Sequence, residues 1–239
     1  MGPTLTKKVE ETLSGKIAVI GGTGELGFGL ALRWAQAGAE VLIGSRDEKK
    51  AQDAAQRVKD TLNSAALVSG FENTQACAQA TVVVLAVPFS AQVGILKNIR
   101  DSLKDAILVD TTLPLAARFG GKATRVLSVW QGSAAAQARE LVPPSTPVLA
   151  AFHNLSAETL QNLSTTPDCD ILVCGDDKAA KQTLFRLVKL IPGLRPIDAG
   201  PLEMSRIVES ITALLISVNM RYRVHHSGIR ITGLKPDVE

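Results

Sequence analysis

The sequence is poor in the side chains that usually carry covalent or metal chemistry. It holds three histidines, three cysteines and a single tyrosine in 239 residues. Cys77, Cys169 and Cys174 are odd in number and show no CxxC spacing. That argues against a disulfide scaffold and a zinc site and fits a reducing cytoplasm. Cys77 and Cys174 read as small packed hydrophobes. His225 and His226 lack partners at metal-ligand spacing, so no metal is expected. There is no HExxH or GxSxG motif, and Tyr222 is followed by His226 where a Tyr-x-x-x-Lys pair would need lysine.

Long apolar runs are missing too. The most apolar late stretch, residues 207–220, is interrupted by Glu209 and is too short to span a bilayer, so it reads as a buried helix. Residues 1–14 carry Lys7, Lys8, Glu10 and Glu11 and lack the apolar core of a signal peptide. They read as an N-terminal extension, and a cytoplasmic location is expected. A net charge of +3 without a dense Lys/Arg cluster gives no nucleic-acid face.

What is present is an ordinary globular composition, 46% hydrophobic and 21% charged, which excludes wholesale disorder. Short apolar runs alternate with helical patterns. Residues 16–20, 40–45, 66–70, 81–87, 106–110 and 147–152 read as strands. Residues 26–37, 47–62, 73–80, 90–103 and 133–141 read as helices between them, with a small-residue loop from 111 to about 132. This alternation predicts an α/β fold of the Rossmann type, a doubly wound parallel sheet with helices on both faces. Strands at 170–174 and 194–197 and helices at 177–190 and 202–222 predict a smaller C-terminal α/β portion. Residues 228–233 are a candidate extra strand. The expected division is an extension at 1–14, a dinucleotide-binding domain at 15–155 and a packed C-terminal portion at 156–239.

The glycine pattern carries the chemistry. Gly22, Gly24 and Gly27 form G-x-G-x-x-G between the first strand and its helix. Gly22 suits a tight turn, Gly24 lets backbone approach a pyrophosphate, and Gly27 lets helix and strand pack closely. A helix N-terminus then offers amides and a positive dipole end to phosphate. An NAD site usually ends its second strand in a carboxylate that accepts from the ribose 2′-hydroxyl. Here that strand ends Gly44-Ser45-Arg46, with Lys50 a turn later. A hydroxyl, a guanidinium fork and an ammonium suit a 2′-phosphate, so NADP(H) is expected over NAD. Asp47 and Glu48 belong to the next helix start and should point away.

Further motifs resemble a known family. These are Gly-Gly-Thr-Gly-Glu-Leu-Gly-Phe-Gly-Leu-Ala-Leu-Arg at 21–33, Gly-Ser-Arg at 44–46 and Val-Cys-Gly-Asp-Asp at 173–177. Gly-Leu-Arg-Pro-Ile-Asp-Ala-Gly-Pro-Leu at 193–202 and Ser-Arg-Ile-Val-Glu-Ser at 205–210 join them. Together they resemble the deazaflavin-dependent NADP oxidoreductases from about Lys16 to Tyr222, with a more distant likeness to the cytoplasmic domains of membrane metalloreductases. The resemblance implies reversible hydride transfer between NADPH and coenzyme F420, a 5-deazaflavin. It places Thr23, Gly24, Glu25 and Leu26 along the pyrophosphate and Ser45, Arg46 and Lys50 at the 2′-phosphate. Ala86, Val87 and Pro88 would lie on the ribose and nicotinamide side. His153, Asn154 and Leu155 would meet the deazaflavin.

Such transfer needs stacking and approach rather than a nucleophile. No catalytic residue is therefore expected; His153 is the one general-acid candidate, with an orienting or packing role the simpler reading. Ile207, Ile211, Leu214, Leu215 and Val218 fall on one helical face, suited to core packing or a homodimer interface, and the resemblance favours the homodimer. The residues leave open a flavin or ferric chelate as acceptor, and a non-catalytic NADP-binding redox sensor.

Overall fold

The computed structural model describes residues 15–63 and 65–234; the expected extension at 1–14 lies outside the described residues. Eight strands form one sheet in the order β3-β2-β1-β4-β5-β6-β7-β8. They are β1 Ile17–Ile20, β2 Val41–Ser45, β3 Val68–Glu72, β4 Val82–Leu85, β5 Ile107–Asp110, β6 Val148–Ala150, β7 Cys169–Gly175 and β8 Leu194–Asp198. The first six are mutually parallel, with Ile17 level with Val41 on one side and Val82 on the other. Strands β1 and β4 are wholly buried, as a run apolar on both faces requires.

Helices cover both faces. On one, α1 (Glu25–Gln36), α2 (Glu48–Leu62), α6 (Ala157–Gln161) and α7 (Lys178–Lys189) pack over Val19, Val84 and Ile171. On the other, α3 (Asn73–Ala78), α4 (Phe89–Ile99), α5 (Ala134–Leu141) and α8 (Ser205–Tyr222) pack over Ile20, Leu85 and Cys174. The three cysteines are buried and free. No helix among the described residues is long and apolar enough to cross a membrane.

The sheet departs from the all-parallel expectation at one point. Strand β7 runs antiparallel to β6, pairing Leu149 with Gly175 and Ala150 with Cys174. The intervening chain stays at the carboxyl edge and holds only the short α6, so no crossover is made and the chain runs back. The sheet is therefore continuous across residues 155 and 156. Strand β3 begins and ends two residues later than its apolar pattern suggested, because it follows β2, with Ser45 opposite Glu72.

Residues 228–233 are not a strand, yet the Ile229 carbonyl accepts from the Asp170 amide at 2.7 Å. Buried Asp170 accepts from Arg195, Arg230 and the Ile231 amide. Burial raises its pKa, but those donors outweigh burial and hold it at about 2. The tail is thus clamped to β7.

Two side chains of α1, Trp34 and Arg33, tie it to the chain beyond β6. Trp34 Nε1 donates to the Leu187 carbonyl at 3.0 Å, and its ring meets Phe152 edge-on, centroids 5.9 Å apart. The guanidinium of buried Arg33 donates to the carbonyls of Leu160, Thr159, Asn162 and Thr165. A cation at the end of α6 satisfies carbonyls that a helix C-terminus leaves unpaired.

Candidate functional site

The chain leaves β1 through a glycine turn at the carboxyl edge of the sheet. The positive φ of this turn, 84°, falls on Gly21, one residue before the motif. What Gly22 supplies is space, since a Cβ there would lie 2.9 Å from Ile43 and 3.0 Å from the Val19 carbonyl oxygen. A Cβ on Gly27 would lie 2.5 Å from the Gly21 carbonyl oxygen, which is why α1 can sit close on the turn. Gly24 is the N-cap of α1, and no side chain caps the helix. Its first amides are left for an outside acceptor.

Thr23, Gly24, Ser45, Arg46, Ala86, Val87 and Pro88 meet around one cleft of about 360 Å³. Gly22 and Gly27 are buried beneath the turn, Glu25 is exposed, and Leu26 packs against the core. The Ser45 hydroxyl oxygen accepts from the Asp47 amide at 3.2 Å, which leaves its proton free to donate. Asp47 is turned to the N-terminus of α2, where it accepts from the Lys50 amide at 3.3 Å. Lys50 is the least committed of the expected phosphate ligands. Its side chain is 73% exposed and is not part of the cleft wall, and its ammonium stands 4.0 Å from Asp47. Arg46 makes no ion pair among the described residues.

The segment at 151–156 lies beyond the end of β6. Phe152 holds a φ of 66°, a strained value for an aromatic residue that the surrounding packing imposes. His153 and Asn154 turn inward, each 3% exposed, while Leu155 is half-buried. The Asn154 amide donates to the Asp170 carbonyl at 2.7 Å, and the His153 carbonyl accepts from the Thr212 hydroxyl at 2.6 Å. Neither His153 ring nitrogen nor Asn154 Oδ1 has a partner. Burial lowers the His153 pKa to about 4, and the nearby Thr112 backbone, outside hydrogen-bond geometry, raises it only slightly. The imidazole is therefore neutral near pH 7. An orienting or packing role suits it better than that of a general acid.

A buried polar network ties α4, β5, α5 and α8 together. Asp110, at the end of β5, accepts from Gln92 Nε2 and from the Thr112 amide and hydroxyl, all at 2.8 Å. Gln92 also reaches the Ala134 carbonyl and accepts from Gln137. Glu209 of α8 accepts from the amides of Ala134 and Ala135 at 2.9 and 3.0 Å, capping α5. Burial pushes Asp110 up to about 6 and Glu209 up to about 7, the charge of Asp110 adding to the latter.

Sequence reasoning missed Gly21, Glu209 as a cap, and Asn73, a 1% exposed side chain in the cleft wall. Asn73 directly follows a parallel strand, the usual place for ligand-facing residues, and that position was its only signal. The helical face expected on α8 is split, since Leu215 is buried while Ile207 and Leu214 are 51% and 60% exposed. No set of side chains that could hold a metal gathers among the described residues.

Residues 16–114 match the family described as NADP oxidoreductase coenzyme F420-dependent. The chain is 49% identical over 221 residues to the F420-dependent NADP reductase of Methanothermobacter thermautotrophicus, a match covering 92% of this chain and 95% of that protein. It is 45% identical to the protein of the same name from Methanothermobacter marburgensis, over 92% of this chain and 99% of the other. A solved structure from Arthrobacter sp. FB24, described as a candidate F420-dependent NADP reductase, superimposes with a TM-score of 0.78 at 25% identity. That superposition covers 92% of this chain and all of the other. The chain belongs to the F420-dependent NADP reductase family.

Proposed function

We propose that this protein transfers a hydride reversibly between NADP(H) and coenzyme F420. The observation that carries the reading is the convergence on one open cleft of a glycine turn, an uncapped helix and the Ser45–Arg46 pair. These features fit a dinucleotide phosphate. Glycines at 22 and 24 keep side chains off the backbone that would meet the pyrophosphate, and β2 ends without a carboxylate to repel a 2′-phosphate. NADPH supplies the hydride and the deazaflavin accepts it when both are bound.

The chain's own contribution is to orient and to exclude water. Thr23, Gly24, Glu25 and Leu26 present the start of α1 to the pyrophosphate. Ser45 and Arg46 hold the 2′-phosphate, with Lys50 reaching in from α2. Ala86, Val87 and Pro88 form the nicotinamide wall. On the acceptor side Leu155 is the side chain open to a ring, while neutral His153 and Asn154 hold the segment from within. Residues 15–155 bind the dinucleotide, and the portion from 156 closes the acceptor side. Ile207, Leu214 and Tyr222 on α8, 51%, 60% and 71% exposed, support a homodimer through that helix. The buried free thiols agree with a cytoplasmic enzyme.

Stopped-flow mixing of enzyme and NADPH with oxidised coenzyme F420, FMN or a ferric chelate tests the reading. Fast NADPH loss with the deazaflavin alone is expected. Faster turnover with FMN or iron would reassign the acceptor, and tight binding without turnover on any of them would make the chain a sensor.

A further inference from the structure

Three carboxylates are buried among the described residues, Asp110, Asp170 and Glu209. Two of them have a structural reason. Asp170 is paired with the guanidinium groups of Arg195 and Arg230, and Glu209 sits on the positive end of α5. Asp110 has neither. Its oxygens accept from Gln92 and Thr112, which are neutral donors, and no cation pairs with it among the described residues. A buried charge without a counter-charge is costly to keep. The turn after β5 does not call for one, since an asparagine oxygen also accepts from an amide two residues on.

The place of Asp110 in the sheet supplies a reason. It closes β5, with Leu85 of β4 level on one side and Ala150 of β6 on the other. Leu85 runs directly into Ala86, Val87 and Pro88 of the cleft wall, and Ala150 leads to His153. Backbone bonds hold both neighbours there. The Thr111 amide and hydroxyl donate to the Leu85 carbonyl at 3.2 and 3.0 Å, and the Asp110 carbonyl accepts from the Ala151 amide at 3.2 Å. The carboxylate turns to the α4 face of the sheet, where Val87 also packs. Its partner Gln92 directly follows Ser90 and Ala91 of the cleft wall.

We infer that Asp110 is a specificity-determining residue, a buried counter-charge that favours the cationic nicotinamide of NADP⁺ over the neutral ring of NADPH. The inference rests on the proposed function, which sets the nicotinamide against Ala86, Val87 and Pro88. The hydride leaves the dihydronicotinamide with both electrons, so that ring passes from neutral to cationic, while the acceptor takes the hydride and a proton from solvent. A fixed negative charge in a water-excluded site stabilises the positive charge that develops and needs no reorganisation. Two unit charges about 10 Å apart in a protein interior shift an equilibrium about tenfold. Burial raises Asp110 to about 6, so its charge is in place at pH 8 and largely withdrawn at pH 5. Around it, β4 and β6 bring no titratable group, and α4 and α5 bring the neutral Gln92 and Gln137. His153 stays neutral over that range, and Glu209 of α8, at about 7, titrates in the same direction as Asp110.

Fluorescence titration of NADPH, with NADP⁺ as competitor, reads the effect as the ratio of the two dissociation constants. The adenosine, the phosphates and any general loosening of the fold cancel in that ratio. Asp110→Asn removes the charge and keeps the shape, and at pH 8 it should weaken NADP⁺ about tenfold relative to NADPH. Thr112→Val disturbs the same hydrogen bonds but keeps the charge, and should leave the ratio as in wild type. Moving wild type from pH 8 to pH 5 should shift the ratio in the same direction as Asp110→Asn does, an arm that needs no variant to fold. A ratio unchanged in Asp110→Asn, or moved as far by Thr112→Val, would overturn the counter-charge and leave the NADP(H) reading standing. So would a wild-type ratio that is the same at both pH values. A wild type that binds neither dinucleotide would overturn both.

Discussion

Glu209 offers a sharp physical test because one carboxylate joins α8 to α5 from a buried position. The perturbation is Glu209→Gln. In the wild type, burial raises this carboxyl from 4.5 to about 7, the Asp110 charge adding to the rise and the Ala134 and Ala135 amides opposing it. A folded-state pKa above the unfolded one means that the folded protein holds the extra proton between those two values. The stability it contributes is therefore fully present below about pH 4.5 and is lost as pH rises through about 7. Each pH unit of that gap corresponds to about 1.4 kcal/mol, so from pH 5 to pH 8 this group alone removes about 2–3 kcal/mol.

Glutamine is neutral throughout and cannot follow the change. Its oxygen still accepts one of the two amides, and its NH₂ leaves the other unpaired, at a cost of about 1–2 kcal/mol that does not vary with pH. The variant should be at least as stable as wild type at pH 8 and less stable at pH 5. Other groups titrate in the same range: Asp110, raised to about 6, acts in the same direction, and His153, lowered to about 4, acts in the opposite one. Subtracting variant from wild type removes their direct contributions. The assay is guanidinium unfolding of both proteins at pH 5 and pH 8. A difference between the two stability gaps below about 0.5 kcal/mol, against the 2–3 expected from the linkage, would refute the reasoning.

Three further outcomes are expected. Arg46→Ala should weaken NADPH by about 10- to 100-fold, the range for a charge-assisted phosphate contact, and leave NADH nearly unchanged; equal losses in a binding titration would remove Arg46 from the 2′-phosphate. Arg33→Met strips a buried cation from four carbonyls. It should cost about 3–5 kcal/mol and lower the melting temperature by about 10 °C, and a drop under 2 °C would contradict the clamp. With its pKa near 4, His153 stays neutral from pH 5 to 8. The hydride-transfer rate should then show no limb near 6.5, and a limb there that vanishes in His153→Asn would show a titrating imidazole.

The sequence announces what local pattern encodes. Residues 82–85 are apolar on both faces, and a strand buried on both sides must look that way. The glycines at 22, 24 and 27 have fixed spacing because one turn and one helix start use all three. Asn73 stays hidden because it reaches the cleft only through the register of β3 on β2, a pairing between distant segments. Glu209 reads in sequence as a charge interrupting an apolar helix. In the fold it is 2% exposed and bonded to amides 75 and 74 residues away. The inward turn of His153 is equally non-local, since it follows from β7 running back beside β6 instead of crossing over.

On the proposed function, that reversal lets a short C-terminal portion form the acceptor side without a separate helical domain. A parallel sheet gathers the ends of β1, β2, β4 and β5 at one edge, and a dinucleotide spread along that edge leaves its reactive end toward β5 and β6. Had the chain crossed over after β6, residues 151–165 would have had to run along a face to the opposite edge of the sheet. By turning back at the same edge they remain beside Thr112 and against α1, where Arg33 fixes four of their carbonyls and Gln161 Nε2 donates to the Glu25 carbonyl at 2.9 Å. The start of α1 and the segment that carries Leu155 are therefore one packed unit. Loosening the Arg33 clamp should disturb coenzyme F420 affinity before it disturbs the affinity for NADPH.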